Sequence, residues 1–184
     1  MNEIVWVCGN AAVGKETFIR HLTESKDEDL LTSLGWQNTN FNIIEESINW
    51  VAYDPKHIFL KKREEILEIL SQKIKTSTNT TFLLKGQFVD LENHRQEKLL
   101  KMLPKAKHTI LFLDADPETL FERLQKKPWF KEGFDIERVK KLSKYELNML
   151  KKLDAGFRFL VVESGKNYQY KLKDPTLTNL LCLY

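Results

Sequence analysis

The chain has 184 residues, of which 42% are hydrophobic and 30% charged, enough to bury a core without staples and too apolar for a wholly disordered or collagen-like protein. Lys and Arg number 29 against 26 Asp and Glu, and the net charge of +3 suits a phosphorylated or nucleic-acid partner without demanding one. Cys8 and Cys182 make neither a disulfide framework nor a zinc pattern, and no segment reads as a secretory signal or a membrane span, so a cytoplasmic protein is expected.

Ile4–Cys8 is an unbroken apolar run and predicts a strand covered on both faces, interior to its sheet, with Cys8 buried. Directly after it comes Gly9-Asn10-Ala11-Ala12-Val13-Gly14-Lys15-Glu16-Thr17, and Lys15–Thr23 predicts the helix that follows. This run contains G-x-x-x-x-G-K between a strand and a helix. Glycines let the chain wrap so that backbone N–H groups converge on phosphate oxygens. The helix start adds partial positive charge, and the Lys15 ammonium reaches the terminal phosphates. Gly9 through Thr17 are therefore candidate contacts to ATP, and Lys15 is also a catalytic candidate. Ser or Thr usually follows the lysine and helps to hold Mg²⁺. Here Glu16 stands there, a hard oxygen ligand that also brings negative charge near the phosphates. Thr17, one place later, is the candidate metal-ligating hydroxyl.

Asn42–Glu45 predicts a second, weaker strand. Lys56–Lys75 carries Ile58, Leu60, Ile66, Ile69 and Leu70 among many charges, the pattern of a helix covering a sheet. Thr80–Leu84 is β-branched and apolar, hence a strand. Leu91–Leu103 predicts a helix stopped by Pro104. Thr109–Leu113 predicts a strand, and Pro117–Lys126 a helix with Asp116 as its N-cap and Pro117 at its first position. Asp135–Leu153 predicts a long charged helix and Phe157–Val162 the last strand. Asn167–Tyr184 has no clear period and no assignment. Strands separated by helices imply a parallel sheet with helices on both faces, and ligands bind such sheets outside the carboxyl ends of the strands.

With these residues in place the chain resembles the P-loop nucleoside and nucleotide kinases, nearest to the deoxynucleoside kinase group, with thymidylate kinase next. That group opens with G-N-x-A-x-G-K-x-T, and this chain reads GNAAVGKET. The group carries a Glu followed five residues later by Trp, matched here by Glu45 and Trp50 in IIEESINW, with Glu46 as the alternative if the register slips by one. The resemblance implies that Glu45 takes the proton from the acceptor hydroxyl and that Trp50 lies at the substrate pocket. ILFLDADPETLFERLQKK resembles the group's strand, turn and the helix leading into its lid. It implies that Arg123 stacks on adenine and that Lys127, on the same helix face, approaches the phosphates. Lys126–Phe134 is then expected to close over ATP and exclude water. Glu163-Ser164-Gly165-Lys166 resembles the turn that contacts adenine, which makes Gly165 a nucleotide contact.

One departure concerns the third strand. The group carries an acid followed by Arg after it, and this chain has Lys85-Gly86-Gln87. Lys85 can supply positive charge and Gln87 can hydrogen-bond a base, so both are candidate substrate contacts. Arg95 and Lys131 are the candidates to replace the missing arginine.

The resemblance implies a three-layer α/β/α P-loop NTPase fold with a mainly parallel five-stranded sheet. Residues 1–184 are expected to form one P-loop kinase-like domain with a short lid at about 123–138. The expected activity moves the γ-phosphate of ATP, with Mg²⁺, to a small nucleoside or nucleotide. Two alternatives stay open: a kinase of polynucleotide 5′ ends, and a nucleotide-binding protein with little catalysis. An ATPase motor is disfavoured, because no acid ends an apolar strand in the usual Walker B place except Asp114 or Asp116.

Overall fold

The computed structural model describes residues 1–25, 27–50, 58–88, 103, 105–128, 130, 135–151 and 157–173. β1 (Glu3–Cys8) is buried along its whole length. It lies between β3 (Thr80–Phe88) and β4 (Lys107–Asp114), parallel to both. β2 (Asn40–Trp50) pairs parallel with β3, and β5 (Phe157–Ser164) parallel with β4. A short β6 (Tyr170–Leu172) closes the edge antiparallel to β5, giving the order β2-β3-β1-β4-β5-β6. The expectation for β1 and Cys8 holds: both neighbours are parallel and Cys8 is fully buried.

Successive side chains of β1 point to opposite faces, which splits the core into two layers. Ile4, Trp6 and Cys8 face α3 (Ile58–Thr76), which presents Ile66, Leu67, Leu70 and Ile74 at helical spacing. Val5 and Val7 face α1 (Lys15–Arg20), its π-helical continuation His21–Ser25, and α2 (Glu28–Leu34). The same layer takes Leu120 and Leu124 of α4 (Pro117–Gln125). α5 (Ile136–Lys151) contributes Val139 to this layer and packs Leu147 against the other. Helices therefore cover both faces of the sheet, as a three-layer arrangement requires.

The sheet has six strands where five were expected. The sixth is three residues long, too short to show an alternating pattern, and is held by a turn in which Gly165 N–H donates to the Gln169 carbonyl at 2.9 Å. α2 was not anticipated either, although its punctuation is ordinary. Asp27 caps it through the Leu30 N–H at 3.0 Å, and Gly35 ends it at φ +74. The cap expected for α4 is present, with Asp116 accepting from Thr119 N–H at 2.8 Å, and Asp135, expected inside α5, instead caps it by accepting from Arg138 N–H at 2.8 Å. The helix expected at Leu91–Leu103 lies, except for the buried Leu103, outside the described residues.

His108 on β4 is 7% exposed and takes a hydrogen bond at Nδ1 from the Trp6 indole at 3.3 Å. Burial pushes its pKa down from 6.5 to about 4. Between those values the unfolded chain binds a proton that the folded one refuses. Stability is therefore complete above pH 6.5 and falls as the pH drops toward 4, by on the order of 3 kcal/mol in all. His108→Gln can keep an acceptor for Trp6 without titrating. In urea unfolding between pH 7 and pH 4.5, the variant should lose about 2 kcal/mol less than the wild type.

Candidate functional site

β1 runs straight into the glycine-rich loop. Gly9 turns at φ +132, and a Cβ there would stand 2.6 Å from the Leu113 carbonyl oxygen, so the end of β4 packs directly on the loop. Ala12 at φ +64 and Gly14 at φ +97 are left-handed. Alternation of this kind turns successive N–H groups to one side and makes an anion-binding concavity. Gly14 is the N-cap of α1 and makes no side-chain cap hydrogen bond. Lys15 reaches back over the loop. Its Nζ donates to the carbonyls of Gly9 at 2.5 Å and Asn10 at 3.0 Å, which holds the ammonium across the mouth. Asn10 Nδ2 donates to Ser143 Oγ at 2.5 Å and ties the loop to α5.

Behind the loop stands Arg123, 8% exposed. Its Nη1 donates to the Val13 carbonyl at 3.0 Å and to Ser164 Oγ at 3.1 Å. Its Nη2 donates to the Gly165 carbonyl at 2.5 Å, with a longer contact to the Lys166 carbonyl at 3.4 Å. Ser164, fully buried, also donates to the Val13 carbonyl at 3.1 Å. The guanidinium carbon lies 4.1 Å from the centre of the Tyr168 ring. That ring in turn covers Gly14, where a Cβ would approach it to 2.7 Å. Tyr170 completes the wall, edge-on to Phe18 and with its hydroxyl 3.5 Å from the Gly14 carbonyl, and burial pushes its phenol pKa up. Arg123, expected to stack on adenine, is thus bound to the loop and to the β5–β6 turn by four donor contacts. Gly165 contributes its carbonyl to this clamp.

Lys127, expected on the same helix face as Arg123, is exposed and lies two residues past the end of α4, which stops at Gln125. With Lys126, Lys166 and Tyr168 it lines a cavity of about 200 Å³. A larger cavity of about 750 Å³ lies beside the first residues of β2, between Leu22, Leu31, Trp36 and Phe41. It is at the end of the sheet away from the loop, so it is not the partner of the phosphate cradle. Of the expected lid, 129 and 131–134, which include Lys131, lie outside the described residues, as does Arg95.

On the other side of the loop strand lies β3, between β1 and β2. Lys85 pairs with Val7 of β1 and stands two residues beyond Leu83, on the face that carries Val5 and Val7 and that α1 covers. On its other side the register shifts: Ile44 pairs with Leu84 and Ile48 with Gly86. Glu45, Glu46 and Ser47 therefore bulge opposite Lys85 alone. Bulges of this kind re-aim side chains beside sites. The backbones of Glu45 and Trp50 lie in β2 and that of Gln87 in β3 opposite Asn49, all at the loop's end of the sheet. Their side chains lie outside the described residues.

A protein-held Mg²⁺ at such a loop takes the hydroxyl after the lysine and an acid from a strand end. The first place holds Glu16, and Lys85 stands at the last pairing of β3 with β1, three residues before that strand ends at Phe88. Glu16 is 69% exposed and points along α1 toward Arg20, 3.8 Å away. Asp114, ending β4, is paired with Lys173 at 2.6 Å. Thr17 keeps its hydroxyl on α1 beside Glu16, but among the described residues no cluster of three or more acidic, His or Cys side chains could hold a metal. Among the described side chains the donor set does not fit a resident Mg²⁺, those of Glu45 and Glu46 lying outside them.

Sequence reasoning missed Ser164, Tyr168, Tyr170, Ser143 and Lys173. Ser164 stood in a segment already marked for the nucleotide, and the three-residue strand carrying Tyr170 explains the loss of the others around it. Ser143 has no local signal on a charged helix.

The profile of the family described as AAA domain matches residues 5–141. No curated protein matches the sequence. Among solved structures, shikimate kinase from Bacteroides thetaiotaomicron is similar at 12% identity and a TM-score of 0.44, over 98% of this chain and 94% of that one. Thymidylate kinase from Candida albicans is similar at 17% identity and a TM-score of 0.41, over 89% and 84%. A gluconokinase from Sinorhizobium meliloti 1021 is similar at 14% identity and a TM-score of 0.35, over 86% and 82%.

Arg123→Met should leave the Gly165 carbonyl without its charged donor and loosen the loop at Val13. Urea unfolding should register a loss of about 2–4 kcal/mol. Arg123→Lys should recover little, because a single ammonium cannot span the same forked set of acceptors.

Proposed function

The chain belongs to the AAA domain family, and on that footing we propose that it transfers the γ-phosphoryl group of ATP to a hydroxyl of a small nucleoside or nucleotide. The observation that carries this reading is the loop from Gly9 to Thr17, closed between an interior strand and a helix with the Lys15 ammonium across its mouth. The triphosphate would lie on the loop's amides with Lys15 at its β- and γ-phosphates. The acceptor would come from the β2 side. There Glu45 takes the proton as the acceptor oxygen bonds to the γ-phosphorus and the bond to ADP breaks. Trp50 and Gln87 border the acceptor, and Lys127 the nucleotide. We propose further that 1–184 forms one domain and that 123–138 closes over bound ATP. No described helix is long and apolar enough to cross a membrane.

A second reading, nucleotide binding with little transfer, is favoured by the same two departures from the usual residues, Glu16 and Lys85. The acceptor decides between them. A thermal-shift panel of nucleosides and nucleoside monophosphates in the presence of ADP should yield one compound that adds stabilisation, by linkage. That compound with ATP should give ADP and a phosphorylated product. A panel without any such compound would support the second reading.

Lys15→Ala should weaken ATP binding by about 1.5–3 kcal/mol in titration calorimetry, since a charge-assisted contact is lost. Glu45→Gln should lower kcat by roughly 10²–10⁴ with ATP affinity unchanged. Equal loss of ATP binding in Glu45→Gln would place that carboxylate on the donor side instead.

A further inference from the structure

At its last pairing with β1, β3 carries a cation, Lys85, and Glu16 and Asp114, described near the loop, each face a cation of their own. We infer that Lys85 takes the metal's place, so that this loop binds a nucleoside triphosphate between two lysines, Lys15 and Lys85, with no divalent ion held by the protein. The inference rests on the nucleotide-binding reading and deepens it.

Three observations support it. The first is position. Lys85 pairs with Val7, two residues before the loop begins, and shares its sheet face with Leu83 and Val7 beneath α1. Neighbouring strands are about 5 Å apart, well within the reach of a four-carbon side chain. The second is charge. A Mg²⁺ ion between the loop and the end of β3 would face the Lys85 ammonium, a like charge, and no carboxylate among the described side chains pairs with Lys85 to offset it. A triphosphate in the same place offers the opposite charge. The third is the state of two acids near the loop among the described side chains. Glu16 is turned outward to Arg20 at 3.8 Å, and Asp114 is neutralised by Lys173 at 2.6 Å. Asp114 has a close cation of its own, and Glu16 lies on the exposed side of α1.

Because β3 lies between the loop strand and β2, Lys85 also stands between donor and acceptor. Its ammonium would meet the terminal phosphate and not the ones buried deeper in the loop. ATP should therefore feel its loss more than ADP does. Any Mg²⁺ in solution would accompany ATP on the phosphates' outward side, bound by phosphate oxygens and water.

The test is titration calorimetry of ATP and ADP against the full chain, its Lys85→Gln and Lys85→Arg variants, and Lys15→Ala, each in excess Mg²⁺ and in excess EDTA. The wild type should bind ATP within about threefold under the two conditions. Lys85→Gln should lose about tenfold or more in ATP affinity in EDTA, less for ADP, and Lys85→Arg should retain most of it. A wild-type affinity for ATP that falls about tenfold or more in EDTA overturns the inference while leaving the nucleotide reading intact. So does a Lys85→Gln protein that binds ATP like the wild type under both conditions, which would reduce Lys85 to a partner of the β2 bulge. Failure of the wild type to bind ATP under either condition overturns both readings.

Discussion

The carbonyl oxygen of Val13 accepts two buried hydrogen bonds, from Arg123 and from Ser164. The peptide unit is planar and trans, so a carbonyl pulled inward sends the N–H of Gly14 outward in the same plane. Those two contacts therefore set the direction of an amide at the loop's mouth. They also join three parts of the chain: the loop after β1, the helix after β4 and the end of β5. Tyr168 over Gly14 and Tyr170 against Phe18 pack the same junction from outside. A left-handed, alternating backbone is costly to hold, by roughly 1–3 kcal/mol for each strained residue. Here the cost is met by a buried arginine whose donors are spread over four acceptors.

Arg123, expected at the adenine, is a buried residue with partners inside the protein. A guanidinium is planar and forked, which suits both an adenine face and a set of carbonyls. In this protein the carbonyls have it, and an aromatic ring from the chain itself lies at its face. Exposed positive charge beside it comes from Lys126, Lys127 and Lys166, which line the same small cavity.

The fold was largely legible because burial writes it into composition. The run Ile4–Cys8 could be placed inside a parallel sheet from its unbroken apolarity, and α3, α4 and α5 from their periodicity and caps. The failures have physical causes. β6 earns its place by pairing and by Tyr170, not by pattern. α2 is seven residues long, and its amphipathic signal is two leucines, Leu30 and Leu34. For the site, the loop was legible because its chemistry is local: glycines, a lysine, and a strand-to-helix junction in nine residues. Its supports were not, because Ser164, Ser143 and Lys173 act across long separations and each is an ordinary polar residue in its own neighbourhood. Lys85 was visible as a departure. Its meaning needed the pleat of β3, which shows the face it occupies.

Val13 and Ser164 are 151 residues apart in sequence, and Val13 and Arg123 are 110. Loops of that size must close before either contact rewards the chain, and contacts of high sequence separation form slowly. The phosphate-binding loop, although contiguous near the start of the sequence, thus acquires its shape only when the far side of the sheet has docked. A partly folded chain that has assembled β1 and α1 would possess the motif without the cavity. Nucleotide then has no foothold on intermediates and adds its free energy to the completed structure alone, which widens the gap between native and near-native states.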